Sequence, residues 1–269
     1  MSARHLHTTI RNATPRASRP PLLFVHGGYV NGDCWDCHFL DYFSARGYDC
    51  VALDLSGHGR SDGRDELNEL GIDDYVADVA RVAATLATPP VLIGHSMGGV
   101  VVQRYLERNP GAGVALLAPV PTTGLSFSSV QLVARQPDFL REASRALRRK
   151  YSADTIRVMR DVYFSPDATE EDLAPFLPMV QPESDLAISE MMALVWNLPK
   201  RRPRIPALAI AGSKDAVFSS SLLHFSASSW NAKTVIVPRA GHMLMMDPQW
   251  QATAEPMHAW LETVPPATH

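Results

Sequence analysis

Three polar side chains stand where an apolar run gives way to glycine. They are Ser96 in Gly94-His95-Ser96-Met97-Gly98, Asp215 in Gly212-Ser213-Lys214-Asp215, and His242 in Ala240-Gly241-His242. A serine alcohol is a weak nucleophile until a base takes its proton, and a histidine oriented by a carboxylate is such a base. Ser96 has glycine two places to either side, follows the apolar run Pro90-Val91-Leu92-Ile93 and precedes an amphipathic stretch from Val100 to Leu106. That pattern suits a sharp strand-to-helix turn, which holds the serine in a strained conformation and projects its oxygen. Side chains at positions 94 and 98 would clash with the folded-back chain, so glycine is expected at both. The helix that follows aims backbone N–H groups at the same point, where a developing oxyanion would be stabilised. The chemistry is acyl transfer through a covalent acyl-serine.

Positioning these groups requires a scaffold with all three at one edge. Predicted strands run over His7–Ile10, Pro21–His26, Tyr48–Leu55, Val91–Gly94, Val114–Pro119, Ala207–Ala211 and Thr234–Pro238. Predicted helices between them cover Trp35–Arg46, Ile72–Leu86, Gly98–Arg108, Ser220–Trp230 and Gln249–Leu261. Continuous Val/Leu/Ile runs alternating with amphipathic helices predict an α/β fold, a mostly parallel sheet flanked by helices. From about Thr122 to Arg204 only helical patterns occur: Val130–Tyr151, Ala153–Val162, Glu170–Phe176 and Asp185–Trp196. They read as an all-helical insertion, which divides the chain into a core (1–121 and 205–269) and a cap (122–204). In an open α/β sheet the ligand lies beyond the carboxyl ends of the strands. Those ends present His26-Gly27-Gly28-Tyr29, Asp54, Ser96, Asp215 and His242, so serine, carboxylate and histidine emerge in that order. Asp54 and Asp62 are read as loop anchors, and Val114 to Gly124 contains no acid, which leaves Asp215 as the carboxylate.

The Gly-x-Ser-x-Gly at 94–98, the order Ser96, Asp215, His242, the His26-Gly27-Gly28 turn and the Asp54-Leu55-Ser56-Gly57-His58-Gly59-Arg60-Ser61 segment resemble the α/β-hydrolase superfamily, in its serine esterase-like branch with a helical cap. The resemblance covers nearly all of the chain outside the cap. It implies an α/β-hydrolase fold with the cap inserted after the sixth core strand, and hydrolysis of carboxylic esters without cofactor or metal. It implies Ser96 as nucleophile, His242 as general base and Asp215 as its orienting acid. The N–H groups of Gly28 and Met97 become the oxyanion donors, with Tyr29 a substitute for Gly28. Tyr29, Trp196 and Met243 are expected against the substrate, whereas His26 and His95 are read as structural.

Relatives with other chemistry can be compared at these positions. Dehalogenases and epoxide hydrolases of this fold carry aspartate at the elbow, and plant-type hydroxynitrile lyases carry lysine where Met243 stands. Carbon–carbon bond hydrolysis, cofactor-free perhydrolysis and a non-catalytic binding role remain as alternatives. Apolar cap residues (Leu132, Val133, Phe139, Leu140, Phe176, Leu177, Met179, Met191, Met192, Leu194, Trp196) and Met243, Met245 and Met246 predict a closed, soft-walled pocket for small to medium apolar esters.

Composition narrows the partners. A formal charge of -3 over 269 residues lacks the basic face that nucleic acid requires. No apolar run approaches the roughly 20 residues of a membrane span. Cys34, Cys37 and Cys50 are too few for a disulfide framework, and Cys34-Trp35-Asp36-Cys37 has no second pair to complete a metal site. The first twenty residues hold four arginines and no acid, a composition shared with transit peptides, but lack a secretory apolar segment. The expectation is a cytoplasmic monomer or homodimer acting on a small-molecule ester.

Overall fold

The structure is a computed structural model and describes residues 4–15, 18–192 and 202–266. Seven strands form one sheet in the order β1-β3-β2-β4-β5-β6-β7: Thr8–Arg11 (β1), Leu22–Val25 (β2), Cys50–Leu53 (β3), Val91–His95 (β4), Gly113–Leu117 (β5), Ala207–Gly212 (β6) and Lys233–Val237 (β7). All neighbours are parallel except β1, which runs antiparallel to β3. Every residue of β2 to β6 is buried, as their unbroken apolar runs require of a sheet covered on both faces. One face carries α1 (Asp33–Asp36), α2 (Phe39–Ser44) and α11 (Trp250–Leu261), with Trp35, Phe39, Phe43 and Trp260 in the core. The other carries α3 (Ile72–Ala83), α4 (Met97–Tyr105) and α10 (Leu223–Ser228), with Tyr75, Val79, Val101 and Tyr105.

The chain passes from β2 outward to β3 and then returns to β4 on the other side of β2. Strand order therefore reverses between β2 and β4, and a crevice opens beyond their carboxyl ends. The loop after β2 is His26-Gly27-Gly28 and the residue after β4 is Ser96, so the reversal brings the two together.

Between β5 and β6 lie α5 (Ser126–Arg135), α6 (Phe139–Leu147), α7 (Ala153–Tyr163), α8 (Glu170–Leu173) and α9 (Asp185–Met192). The helical segment thus follows the fifth strand in chain order rather than the sixth, because a single strand, β1, precedes β2 among the described residues. Two predicted helices are each broken in two. Val130–Tyr151 divides at Gln136 (φ −129°, ψ 75°), which Pro137 excludes from helical geometry. Trp35–Arg46 divides at His38 (φ −150°), whose ring stacks on Trp250 with centroids 4.5 Å apart.

Candidate active site

Ser96 sits between β4 and α4 with φ 50° and ψ −116°, a conformation that L-residues rarely adopt. Close packing explains the glycines beside it. A Cβ on Gly94 would lie 2.4 Å from the Gly98 carbonyl oxygen, and one on Gly98 would lie 2.3 Å from that of Val25. The turn is pinned by the Ser96 N–H, which donates to Leu117 O at 3.0 Å, and by the Gly99 N–H, which donates to Ser96 O at 2.9 Å. A serine at a helix start usually caps a backbone N–H with its side chain. The Ser96 hydroxyl makes no such bond and has no hydrogen-bond partner among the described residues. It faces a cavity instead.

His242, in the loop after β7, lines the same cavity. Its Nδ1 donates to Asp215 Oδ2 at 2.9 Å, and the side chains of both residues are buried. Asp215 Oδ1 accepts from the N–H groups of Val217 and Phe218, each at 2.8 Å, so the carboxylate is fixed before it meets the imidazole. The histidine loop has its own clamp, which the sequence did not reveal. Asp247 accepts from Gly241 N–H (3.0 Å), Ser165 N–H (2.7 Å) and Gln249 N–H (3.0 Å). A lone acid amid Met243, Leu244, Met245 and Met246 was the available signal, since a charge inside an apolar run must find partners.

His95 joins the two loops: its Nε2 donates to the His242 carbonyl at 3.0 Å. Burial, followed by the neighbouring His242 charge, holds the His95 imidazole well below its ordinary range. A Cβ on Gly27 would lie 2.7 Å from His95 Nδ1, which is why the turn after β2 has no side chain there. His26 completes that turn, donating from Nδ1 to Gly27 O (2.8 Å) and accepting at Nε2 from Leu55 N–H (3.1 Å). Burial, and then the His58 charge, lower His26 to about 4.

The acid response follows from the sign of the His26 shift. Unfolded His26 takes up a proton below about 6.5, while folded His26 stays neutral down to about 4. Its contribution is complete above the unfolded value and is lost as pH falls from about 6.5 to about 4. At pH 5 the loss amounts to about 2 kcal/mol. Denaturant unfolding at pH 7 and pH 5 should show this difference, reduced in His26→Asn. An identical pH dependence in the two proteins would remove His26 as its source.

The expected site residues fall as follows. Ser96, His242, Gly28, Met97, Tyr29 and Met243 line one cavity of about 260 Å³, and Asp215 stands behind His242. Trp196 and Leu194 lie outside the described residues. Neither the Gly28 nor the Met97 N–H has an acceptor among the described residues, whereas the Tyr29 N–H donates to Glu183 Oε2 at 3.3 Å. The walls come largely from the helical segment: Leu132, Phe139, Met159, Phe176 and Met191.

Two expectations need correction. Met245 and Met246 are not in the wall but in the core, because the chain turns back after Met243, with Met246 and Asp247 N–H both donating to Met243 O. Among the described residues the pocket is also not closed: Tyr29 (39%), Val133 (36%), Leu140 (63%) and Met192 (38%) line it and are themselves exposed. Cys34 is buried, with its thiol pushed well up by burial. Cys37 is raised to about 11 by burial and neighbouring acids, so neither thiol is poised as a thiolate.

A model of the alpha/beta hydrolase family matches residues 22–255. The chain belongs to the alpha/beta hydrolase family. The chain is 41% identical over 105 residues to a non-heme chloroperoxidase of Streptomyces lividans, covering 38% of this chain and 37% of that protein. It is 39% identical over 110 residues to a bifunctional esterase/perhydrolase of Acinetobacter calcoaceticus, again covering 38% and 37%. The chain thus spans little more than a third of the length of these curated relatives. A thermophilic esterase from Thermogutta terrifontis shares the fold at a TM-score of 0.69, with 18% identity over 97% of this chain and 94% of that one. No helix among the described residues is long and apolar enough to cross a membrane.

Proposed function

We propose that this alpha/beta hydrolase cleaves carboxylic esters of small to medium size through Ser96, His242 and Asp215. The observation that carries the reading is the 2.9 Å bond from His242 to a pre-fixed Asp215, with His242 and an uncapped Ser96 facing one cavity. Ser96 Oγ attacks the ester carbonyl as its proton passes to His242 Nε2, and the Gly28 and Met97 N–H groups receive the oxyanion. His242 then protonates the leaving alcohol, and the acyl-serine is released by a water that His242 deprotonates. Residues 122–204 serve as the cap of a core made of 1–121 and 205–269, and Met243 and Tyr29 contact the substrate.

A cavity of about 260 Å³ falls just below the range of about 300–1,000 Å³ usual for small-molecule sites. With p-nitrophenyl esters of increasing acyl length, kcat/KM should peak at short or medium chains, and a fluorophosphonate should label Ser96. A preference for emulsified long-chain esters would overturn the substrate class, and absence of labelling would overturn the serine mechanism.

The names of the relatives support one second reading. Hydrogen peroxide can replace water in attacking the acyl-serine: its proton passes to His242, the acyl–Oγ bond breaks as His242 returns that proton to Ser96, and the peracid leaves. Peracid formed from an ester and peroxide, and lost in Ser96→Ala, would identify that activity.

A further inference from the structure

Among the described residues, Glu183 is the only acid that lines the cavity, and it comes from the helical segment immediately before α9. Its side chain is completely buried. Oε2 accepts from His58 Nε2–H (3.0 Å) and Tyr29 N–H (3.3 Å), while Oε1 accepts from Tyr75 O–H (2.8 Å) and Ser184 N–H (2.8 Å). Two bonds on each oxygen leave no acceptor capacity for a substrate. Burial works against ionisation of this carboxyl, but the His58 charge and the donated bonds outweigh it and hold the group below its usual range.

The partners of Glu183 show what the carboxylate is for. Gly27 and Gly28 have no side chains to hold their turn, so its shape depends on anchors at either end. His26 supplies the anchor on the sheet side. On the far side Tyr29 is held with φ 65°, its N–H taken by Glu183 and its carbonyl by Gln181 N–H at 2.9 Å. Glu183 Oε2 also lies against Gly28, 3.2 Å from where a Cβ would be. A bare carboxylate beside a developing oxyanion would repel it. His58 is placed against that charge: its Nε2 lies 3.0 Å from Glu183 Oε2 and its Nδ1 3.0 Å from Ser56 O, so the ring is fixed between two acceptors.

The geometry points to Glu183, held by His58 and Tyr75, as a positioning residue that sets the Gly28–Tyr29 turn for the oxyanion and ties its assembly to the seating of the helical segment. This inference rests on the serine-hydrolase reading given above. Removing a single oxyanion donor costs about 10²–10³-fold in kcat, and misaligning one costs less.

The test compares Glu183→Ala, Glu183→Gln, His58→Gln and the His58→Gln/Glu183→Gln double variant. Glu190→Ala serves as control, since Glu190 Oε2 accepts from Ile72 N–H at 2.7 Å and ties the same segment to α3 away from the turn. Readouts are kcat and KM on a short ester, the second-order rate of fluorophosphonate labelling of Ser96, and the unfolding midpoint. Glu183→Ala should lower kcat and the labelling rate together by about 10–10²-fold, with KM changed less than threefold. Glu183→Gln, which keeps one acceptor, should retain more activity. His58→Gln should be impaired, and the double variant should exceed it because the uncompensated charge is gone. Glu190→Ala should lower the midpoint and leave kcat and labelling in place.

Labelling of Glu183→Ala at the wild-type rate would overturn the proposal, and so would equal slowing in Glu190→Ala, which would mean general loosening. Should Glu183→Ala fail to fold, the order of the other three variants decides the matter in the same way. Failure of the wild-type protein to label at all would instead overturn the serine reading beneath it.

Discussion

Replacing Ser96 by alanine should reduce ester hydrolysis by about 10⁴-fold or more while leaving the unfolding midpoint unchanged within a few degrees. The fold has no stake in the hydroxyl, which neither caps α4 nor bonds to any described residue. Alanine suffers no more than serine at φ 50°, and the close contacts of the turn fall on Gly94 and Gly98 instead. Serine and base act as a unit, so losing the alcohol removes the covalent route outright. Active-site titration should exclude residual wild-type protein from the measurement. Turnover above about one per cent of wild type would assign the nucleophile elsewhere.

Asp215→Asn should lower kcat by about 10²–10⁴-fold. The Val217 and Phe218 N–H groups both point at Oδ1, so the asparagine carbonyl stays there and its amide turns toward His242. A donor facing Nδ1 selects the wrong tautomer and cannot stabilise the imidazolium. Asp54→Asn is the comparison. Asp54 accepts from Gly32 N–H at 2.7 Å and from Arg60 N–H at 2.9 Å, touches neither Ser96 nor His242, and should act through the unfolding midpoint. If the two variants exchanged behaviour, the carboxylate would be misassigned.

What was legible in the sequence was whatever local sterics dictate. Gly94 and Gly98 announce a turn because no other residue fits against backbone oxygens at 2.3–2.4 Å. The positions of Asp215 and His242 follow from their strands, since a parallel sheet brings its carboxyl ends to one edge. Helix ends were legible only in part: Pro137 was present to be read, but the apolar periodicity of Val130 to Tyr151 continues through it. Glu183 could not be read at all. Its partners His58 and Tyr75 lie far away in the chain, and nothing in Pro182-Glu183-Ser184 distinguishes a buried clasp from a solvated loop. Met245 and Met246 show the reverse difficulty, because residue type gave softness but not direction.

Strands β5 and β6 are direct neighbours in the sheet, with Val114 opposite Ala207 and Leu117 opposite Ile210, although α5 to α9 lie between them in the chain. The strand that carries Asp215 is therefore placed by its ladder, not by the length or content of what precedes it. Doubling a connection costs only about 0.6 kcal/mol of closure entropy. Lineages can accordingly rewrite the stretch after Leu117 wholesale and keep Ser96, Asp215 and His242 in register. The constraint on such rewriting is the seat around His58, Tyr75 and Tyr29. A replacement without an acid to fill it would leave the buried His58 Nε2 and Tyr75 hydroxyl without their acceptor and the glycine turn unanchored.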